Sequence, residues 1–341
     1  MTSMSKTALL REEKSRSMGK ITSLREQGNL CVARIPARRN SETKMDLVEA
    51  NDVMLAYEVF EARTPRRAPP LVLMRGLGTQ MIQWHAGLIE SFTAQGMDVV
   101  IFDNRDVGRS TKLDAAGIPD FSALGAAAAA GTMFPVPYTL DDMARDVVGL
   151  MDGLDIAEAN FLGISMGGMV AQHLGFSYPA RFAHIVCVMS SSGGPDVPQP
   201  DSSNLQMPDI DDRAALVDYL VASLKQYMGP GFPWREADCL HMAERIADRG
   251  YYPPGIARQY AAILADRSRV GRLQNIALPF FVIHGDHDTL LPPACGEDIV
   301  RHVPGAQWLL VNGMGHDMGP GIEAVITPNL CRFFGLDGVS A

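Results

Sequence analysis

Short apolar runs recur along the chain, and each is closed by a polar or glycine-rich turn. Residues 71–74 lead into Arg75-Gly76-Leu77-Gly78, and residues 99–102 into the polar stretch from Asp103 to Ser110. Phe161-Leu162 leads into Gly163-Ile164-Ser165-Met166-Gly167, and residues 185–189, 280–283 and 308–311 continue the series. Runs this short and this continuously apolar predict strands buried on both faces, as in a parallel sheet. Alternation over residues 48–60, around Asn51-Asp52, predicts a hairpin leading into that sheet.

Helical period fills the intervals. Thr139 with Asp142 predicts a capped helix start, and Leu140, Met143, Ala144, Val147, Val148, Met151 and Leu154 follow at helical spacing. Helices are also predicted over 168–176, 296–303 and 322–334, and the alanines at 126–130 predict a short helix inside a long loop. Residues 195–274 differ: they open with Pro195, Pro198, Pro200 and Pro208, then give helix-like segments near 213–227, 235–248 and 256–269 with no strand pattern. An all-helical insert between two strands predicts a lid over a site. The expected organisation is an α/β core made of residues 45–194 and 275–341, a mostly parallel sheet flanked by helices, with 195–274 inserted as a helical cap. Residues 1–44 have mixed charge and no sustained period, and are expected to form a flexible extension.

Composition narrows the classes. Hydrophobic residues make up 47% of the 341 and charged residues 20%, which supports a sizeable core and excludes general disorder. A net charge of −9 offers nothing to nucleic acid or an anionic membrane. Near the start of the chain the apolar stretch at residues 8–10 is far too short for a secretion signal or a membrane span, so neither is expected. Cys31, Cys187, Cys239, Cys295 and Cys331 are scattered, odd in number and without C-x-x-C spacing; they predict reduced thiols in a cytoplasmic protein, with no zinc site and no disulfide framework.

In a parallel sheet the functional loops lie at the carboxyl ends of strands. Ser165 sits where a strand meets a helix, and glycines on both sides let neighbouring chain approach it closely, which reads as a nucleophile elbow. The five-residue motif is weak alone, so its context must carry it. His284-Gly285-Asp286-His287-Asp288 ends a later strand, and Gly313-Met314-Gly315-His316-Asp317 follows the last one. The order is therefore serine, acid, histidine. Order alone leaves Asp286 and Asp288 both open as the acid, and Asp196, after the strand that follows the serine, is a third option. His284 falls inside its strand, which leaves the acid and histidine cluster around it with poor metal-ligand geometry.

Five motifs, RGLG at 75–78, FDNRDVGRST at 102–111, GISMGGMVAQ at 163–172, HGDHDTLLP at 284–292 and GMGHDM at 313–318, make residues 45–336 resemble an α/β-hydrolase-fold esterase. Within that family the chain is similar to the group containing aclacinomycin methylesterase and related small carboxylesterases. The resemblance implies Ser165 as nucleophile, Asp288 as acid and His316 as base, with an oxyanion hole made by the Leu77 and Met166 backbone amides and with Gly76 and Met314 beside the substrate. It implies hydrolysis of small or medium apolar esters through an acyl-enzyme, without metal or cofactor, with a small-molecule ester as partner and homo-oligomerisation left open. Lactonases, perhydrolases and carbon–carbon bond hydrolases use the same triad, and a ligand-binding protein on this scaffold is a further alternative.

The chain departs from the family pattern at Arg75, where a histidine often precedes the glycine; a salt bridge from Arg75 to Asp103 or another buried carboxylate is expected. Asp103, Arg105 and Ser110 are expected to tie a turn beside the elbow, and His85 to be a surface or packing residue. Cys187 and Cys295 are expected to be buried. Some of Met81, Met133, Met166, Met169, Met189, Met314 and Met318 are expected to line an adaptable apolar acyl pocket.

Overall fold

The computed structural model describes residues 46–198, 208 and 210–336. The expected extension at 1–44 lies outside them, as do Pro200 and its neighbours. Among these residues eight strands form one sheet: β1 (Asp46–Ala50), β2 (Val53–Phe60), β3 (Leu71–Met74), β4 (Val99–Phe102), β5 (Ala159–Ile164), β6 (Phe182–Val188), β7 (Phe280–Gly285) and β8 (Gln307–Val311), in the order β1-β2-β4-β3-β5-β6-β7-β8. The first two strands pair antiparallel, β2 runs antiparallel to β4, and every later pairing is parallel. Asn51 and Asp52, both at positive φ, make the tight hairpin turn.

Among the described residues ten α-helices lie between or after the strands: α1 (Ala86–Ala94), α2 (Phe121–Ala129), α3 (Leu140–Gly153), α4 (Met166–Ser177), α5 (Arg213–Gln226), α6 (Glu236–Gly250), α7 (Pro253–Asp266), α8 (Val270–Leu273), α9 (Pro293–His302) and α10 (Glu323–Phe333). The sheet's pleat sorts its side chains. Val72, Met74, Phe161, Phe280 and Val282 join the core under α3, α4 and α9, whereas Leu71, Leu73, Leu162, Phe281 and Ile283 join the one under α1 and α10. Covering both faces explains why the strands read as unbroken apolar runs.

Sequence pattern and structure agree closely on these strands and on α3, whose Thr139 and Asp142 form a reciprocal capping box. Helix α1 has no such start signal: its N-cap, His85, makes no side-chain capping bond, and Gly87 and Thr93 dilute the pattern. The segment expected as one helix over 256–269 starts earlier, with prolines in its first turn, and breaks at Arg267, whose φ is 52°, before α8 begins.

Helices α5 to α8 all lie between β6 and β7, and no strand occurs among the described residues there. They divide by packing. Leu216, Val217 and Leu220 of α5 meet Met242, Ala243 and Ile246 of α6 in a small separate core, whereas Ala262 of α7 and Leu273 of α8 belong to the main one. Buried charge fixes α7 further. Arg258 grips Asp106, in the loop after β4, with two hydrogen bonds of 2.8 and 2.7 Å, both side chains almost wholly buried. At the far end Asp266 meets His173 of α4 at 3.0 Å, Arg272 at 3.2 Å and Arg269, which in turn donates to Gln172 and the Ser191 carbonyl. No helix among the described residues is long and apolar enough to cross a membrane.

Two stability predictions follow from these buried charges. Arg258→Met leaves the Asp106 carboxylate buried without its cation and should destabilise the fold by about 3–5 kcal/mol, while Asp106→Asn combined with Arg258→Met should recover part of that loss; denaturant unfolding of the three proteins checks it, and equal losses in the single and double variants would refute it. Burial pushes the Asp266 carboxyl up, but the hydrogen bond from His173 and the Arg269 charge outweigh it and hold the group well below the usual carboxylate range. A depressed carboxylate contributes stability that is fully present above its unfolded value, about 4, and is lost as pH falls toward the folded value. Asp266→Asn should therefore destabilise at pH 7, and the gap to wild type should shrink in melts below about pH 4; a gap constant from pH 7 to pH 3 would remove this role.

Candidate active site

Ser165 joins β5 to α4 with φ 55° and ψ −118°, a region that L residues rarely occupy and that costs of order 1–3 kcal/mol. Its surroundings impose it. The Ser165 N–H donates to Val188 O at 2.9 Å, extending the pairing with β6, while its carbonyl accepts from Gly168 N–H, Met169 N–H and Ser190 Oγ. A Cβ on Gly163 would overlap the Gly167 carbonyl, and one on Gly167 would sit 2.6 Å from Met74 O, so the turn closes only with glycine at both places.

His316, in the loop after β8, faces the serine with Nε2 2.9 Å from Ser165 Oγ. Its Nδ1 lies 2.7 Å from Asp288 Oδ2. Asp288 Oδ1 accepts the Leu290 and Leu291 N–H groups at 3.0 and 2.9 Å, and His284 Nε2 stands 3.4 Å from Oδ2. Burial pushes the Asp288 carboxyl up; the His316 charge, hydrogen bonds from His284 and His316 and the Leu291 amide outweigh it and hold the group well below the usual carboxylate range. An ionised Asp288 makes Nδ1 the protonated ring nitrogen, so Nε2 accepts from the serine hydroxyl.

Asp286 does not reach His316: it sits beside His287 and accepts the Gly313 N–H. Asp196 is exposed and makes no contact with that ring. The loop carrying His316 is braced by a second glycine-rich segment, with Gly231 N–H donating to Gly313 O at 2.8 Å and the Tyr227 ring lying edge-on to the imidazole at 6.1 Å.

Leu77 and Met166 flank the serine from two elements, and neither amide donates a hydrogen bond within the described protein. Gly76 brings its backbone against the serine; a Cβ there would lie 3.0 Å from Ser165 Cβ. Gly76, Leu77, Ser165, Met166 and His316 all border one cavity of about 440 Å3, whose other walls are mainly apolar. Met169 and Met189 line it as well. Met314 does not: it is fully buried in the core under α10, with its carbonyl accepting the His287 N–H, because the tight packing of this loop on Gly285 turns it inward. Met81 and Met318 are also core residues, and Met133 is exposed.

Asp103 pairs with Arg249 of α6 at 2.6 Å and accepts the Met81 and Arg109 amides, which leaves no place for Arg75. Arg75 instead lies over the Trp84 ring at 5.0 Å and donates to Gln83 O at 3.3 Å, with its Nε unpartnered. Burial lowers its pKa to about 10 against the pull of Asp317, so it stays charged at neutral pH. Ser110 and Asp103 do tie the turn after β4, Ser110 Oγ donating to Asp103 O at 2.6 Å, while Arg105 pairs with Asp146 of α3. Partly exposed His85 packs edge-on against Trp234. Cys187 and Cys295 are buried, and burial pushes their thiols up to about 12 and about 11.

Known proteins place this architecture. A family model for the alpha/beta hydrolase fold matches residues 69–319. Rhodomycin D methylesterase DnrP from Streptomyces peucetius is 23% identical over 286 residues, 77% of this chain and 89% of that protein. The 3-oxoadipate enol-lactonase 2 of Acinetobacter baylyi is 26% identical over 262 residues, 76% of this chain and 85% of that one. Among solved structures, the enol-lactonase from Burkholderia xenovorans LB400 superposes with a TM-score of 0.65 at 23% identity, covering 85% of this chain and all of that one. A meta-cleavage product hydrolase from Pseudomonas fluorescens IP01 gives a TM-score of 0.62 at 16% identity, covering 86% and 98%. With strand order, strand-end loops and the matched region in agreement, the chain belongs to the α/β-hydrolase fold family.

Proposed function

We propose that the protein hydrolyses carboxylic esters by acyl transfer through Ser165, with His316 as general base and acid and Asp288 as the group that orients and charges the imidazole. The observation that carries this reading is the unbroken chain Ser165 Oγ, His316 Nε2, His316 Nδ1, Asp288 Oδ2, with separations of 2.9 and 2.7 Å on either side of the ring. Asp288 spends its other oxygen on two backbone amides, so it holds the ring in one orientation.

Ser165 Oγ attacks the ester carbonyl carbon as its proton passes to His316 Nε2. The carbonyl oxygen becomes an oxyanion, and the Leu77 and Met166 N–H groups are the donors available to it, the second reinforced by the N-terminus of α4. Collapse breaks the bond to the leaving alcohol, which takes the proton from His316. Water then gives a proton to His316 and its oxygen to the acyl carbon, and serine departs with the proton returned.

The mainly apolar wall of the cavity favours uncharged esters of small to medium size, and helices α5 to α7, which contribute Tyr219, Leu220, Ile246 and Ile256 to it, act as its cap. The four described cysteines are buried, which suits a reducing compartment such as the cytoplasm. Ser165→Ala should lower kcat/KM on p-nitrophenyl butyrate by at least about 10^3-fold with an unchanged melting temperature; near-wild-type turnover by that variant would end the serine-hydrolase reading. Activity should also rise with acyl length until the cavity is filled and then fall, whereas a flat profile across a panel of acyl chains would take the cavity out of substrate selection.

A further inference from the structure

Two segments that carry no recognisable motif converge on the turn that holds Leu77. Gln259 of α7, completely buried, accepts the Gly78 N–H at 2.8 Å on Oε1 and donates through Nε2 to Arg105 O, also at 2.8 Å. Reversing the amide would set donor against donor at one end and acceptor against acceptor at the other, so both bonds fix its orientation. One helical turn earlier Ile256 closes on the same glycine: a Cβ on Gly78, whose φ is +66°, would lie 2.9 Å from Ile256 Cγ1. Two residues on, Gln80 donates to the carbonyls of Ile246 and Gly250 at 3.1 Å each and accepts from Arg249 at 3.1 Å.

We propose that Gln259 is a positioning residue for the oxyanion turn, fixing the backbone amide of Leu77 toward the carbonyl that Ser165 attacks. The inference rests on the acyl-transfer reading above and adds to it a residue from the helical segment. Its logic lies in successive peptide planes. In the Gly76–Leu77 peptide, Thr79 Oγ1 holds the Gly76 carbonyl at 2.9 Å, so the Leu77 N–H must point the opposite way. The Leu77–Gly78 peptide is the next plane, and Gln259 holds it by its N–H. With both planes held, the torsions of Leu77 between them cannot drift, and its N–H is set before any oxyanion forms. Helix α7 can act as such a mount because the neighbouring Arg258 locks it to Asp106.

Gln259→Met keeps the length of the side chain and removes both hydrogen bonds. With p-nitrophenyl butyrate it should lower kcat about 10- to 100-fold while KM stays within about twofold. A trifluoromethyl ketone, which forms a charged hemiketal on serine, should lose affinity by a similar factor, and the pH at half-maximal kcat/KM should not move because the triad is untouched. Gln259→Glu retains the acceptor for Gly78 and should show a smaller loss; it serves as the measurement if Gln259→Met does not fold. Wild-type kcat and ketone affinity in a folded Gln259→Met protein, or an equal rise in KM and fall in ketone affinity with kcat unchanged, would overturn the proposal. Turnover surviving in Ser165→Ala would instead overturn the acyl-transfer reading beneath it, so the two failures are distinguishable.

Discussion

The backbone of Ser165 is the constraint on which the rest of the site depends. A serine at φ 55° between a strand and a helix is unfavourable alone, and it persists because β5 lies between β3 and β6 with its amide and carbonyl both committed. The same turn aims Oγ out of the sheet, leaves the Met166 amide free at the start of α4 and brings Gly76 against the serine. Packing on both faces of the sheet resists relaxation of this geometry, since moving the serine would move β5 through two cores.

A second layer of order comes from buried charge and amide groups that join the helical segment to the core. Arg249 with Asp103, Arg258 with Asp106, and Asp266 with His173 and Arg269 are spread from α6 to α8, and their core partners lie on the loop after β4 or on α4. Each is a poor stand-alone source of stability, because desolvation offsets much of the attraction, but each is strongly directional. Their common effect is register: α7 sits in one place on the core, and Gln259 and Ile256 on that helix meet Gly78 in the turn after β3. The outer pair α5 and α6 has its own small apolar core and contributes side chains to the cavity. One helical segment thus both locks onto the core and borders the cavity beside Ser165.

What the sequence made legible follows from what has a local signature. Strands buried on both faces leave continuous apolar runs, a capping box marks the start of α3, and the glycines around Ser165 mark its turn, so the fold and the turn at Ser165 are legible in the sequence. The choice of Asp288 over Asp286 came from family likeness, and the two differ in space by one strand-end turn: Asp288 folds back onto its own Leu290 and Leu291 amides and His316, Asp286 onto Gly313. Met314 and the Arg75 partner were misread because side-chain direction in a glycine-rich loop, and the competition of Arg249 for Asp103, have no local trace. Gln259 was invisible for the same reason: its bond to Gly78 spans 181 positions and joins a side chain to a backbone amide.

The central claim is that Ser165 is made nucleophilic by the His316 and Asp288 chain, and covalent labelling addresses it without depending on the natural substrate. Diethyl p-nitrophenyl phosphate should inactivate the protein with release of one equivalent of p-nitrophenol, and peptide mass spectrometry should place the diethylphosphoryl group on the peptide containing Ser165, with His316→Ala labelling far more slowly. Loss of activity with the phosphoryl group on another residue, or labelling of Ser165 at the same rate in His316→Ala, would contradict it.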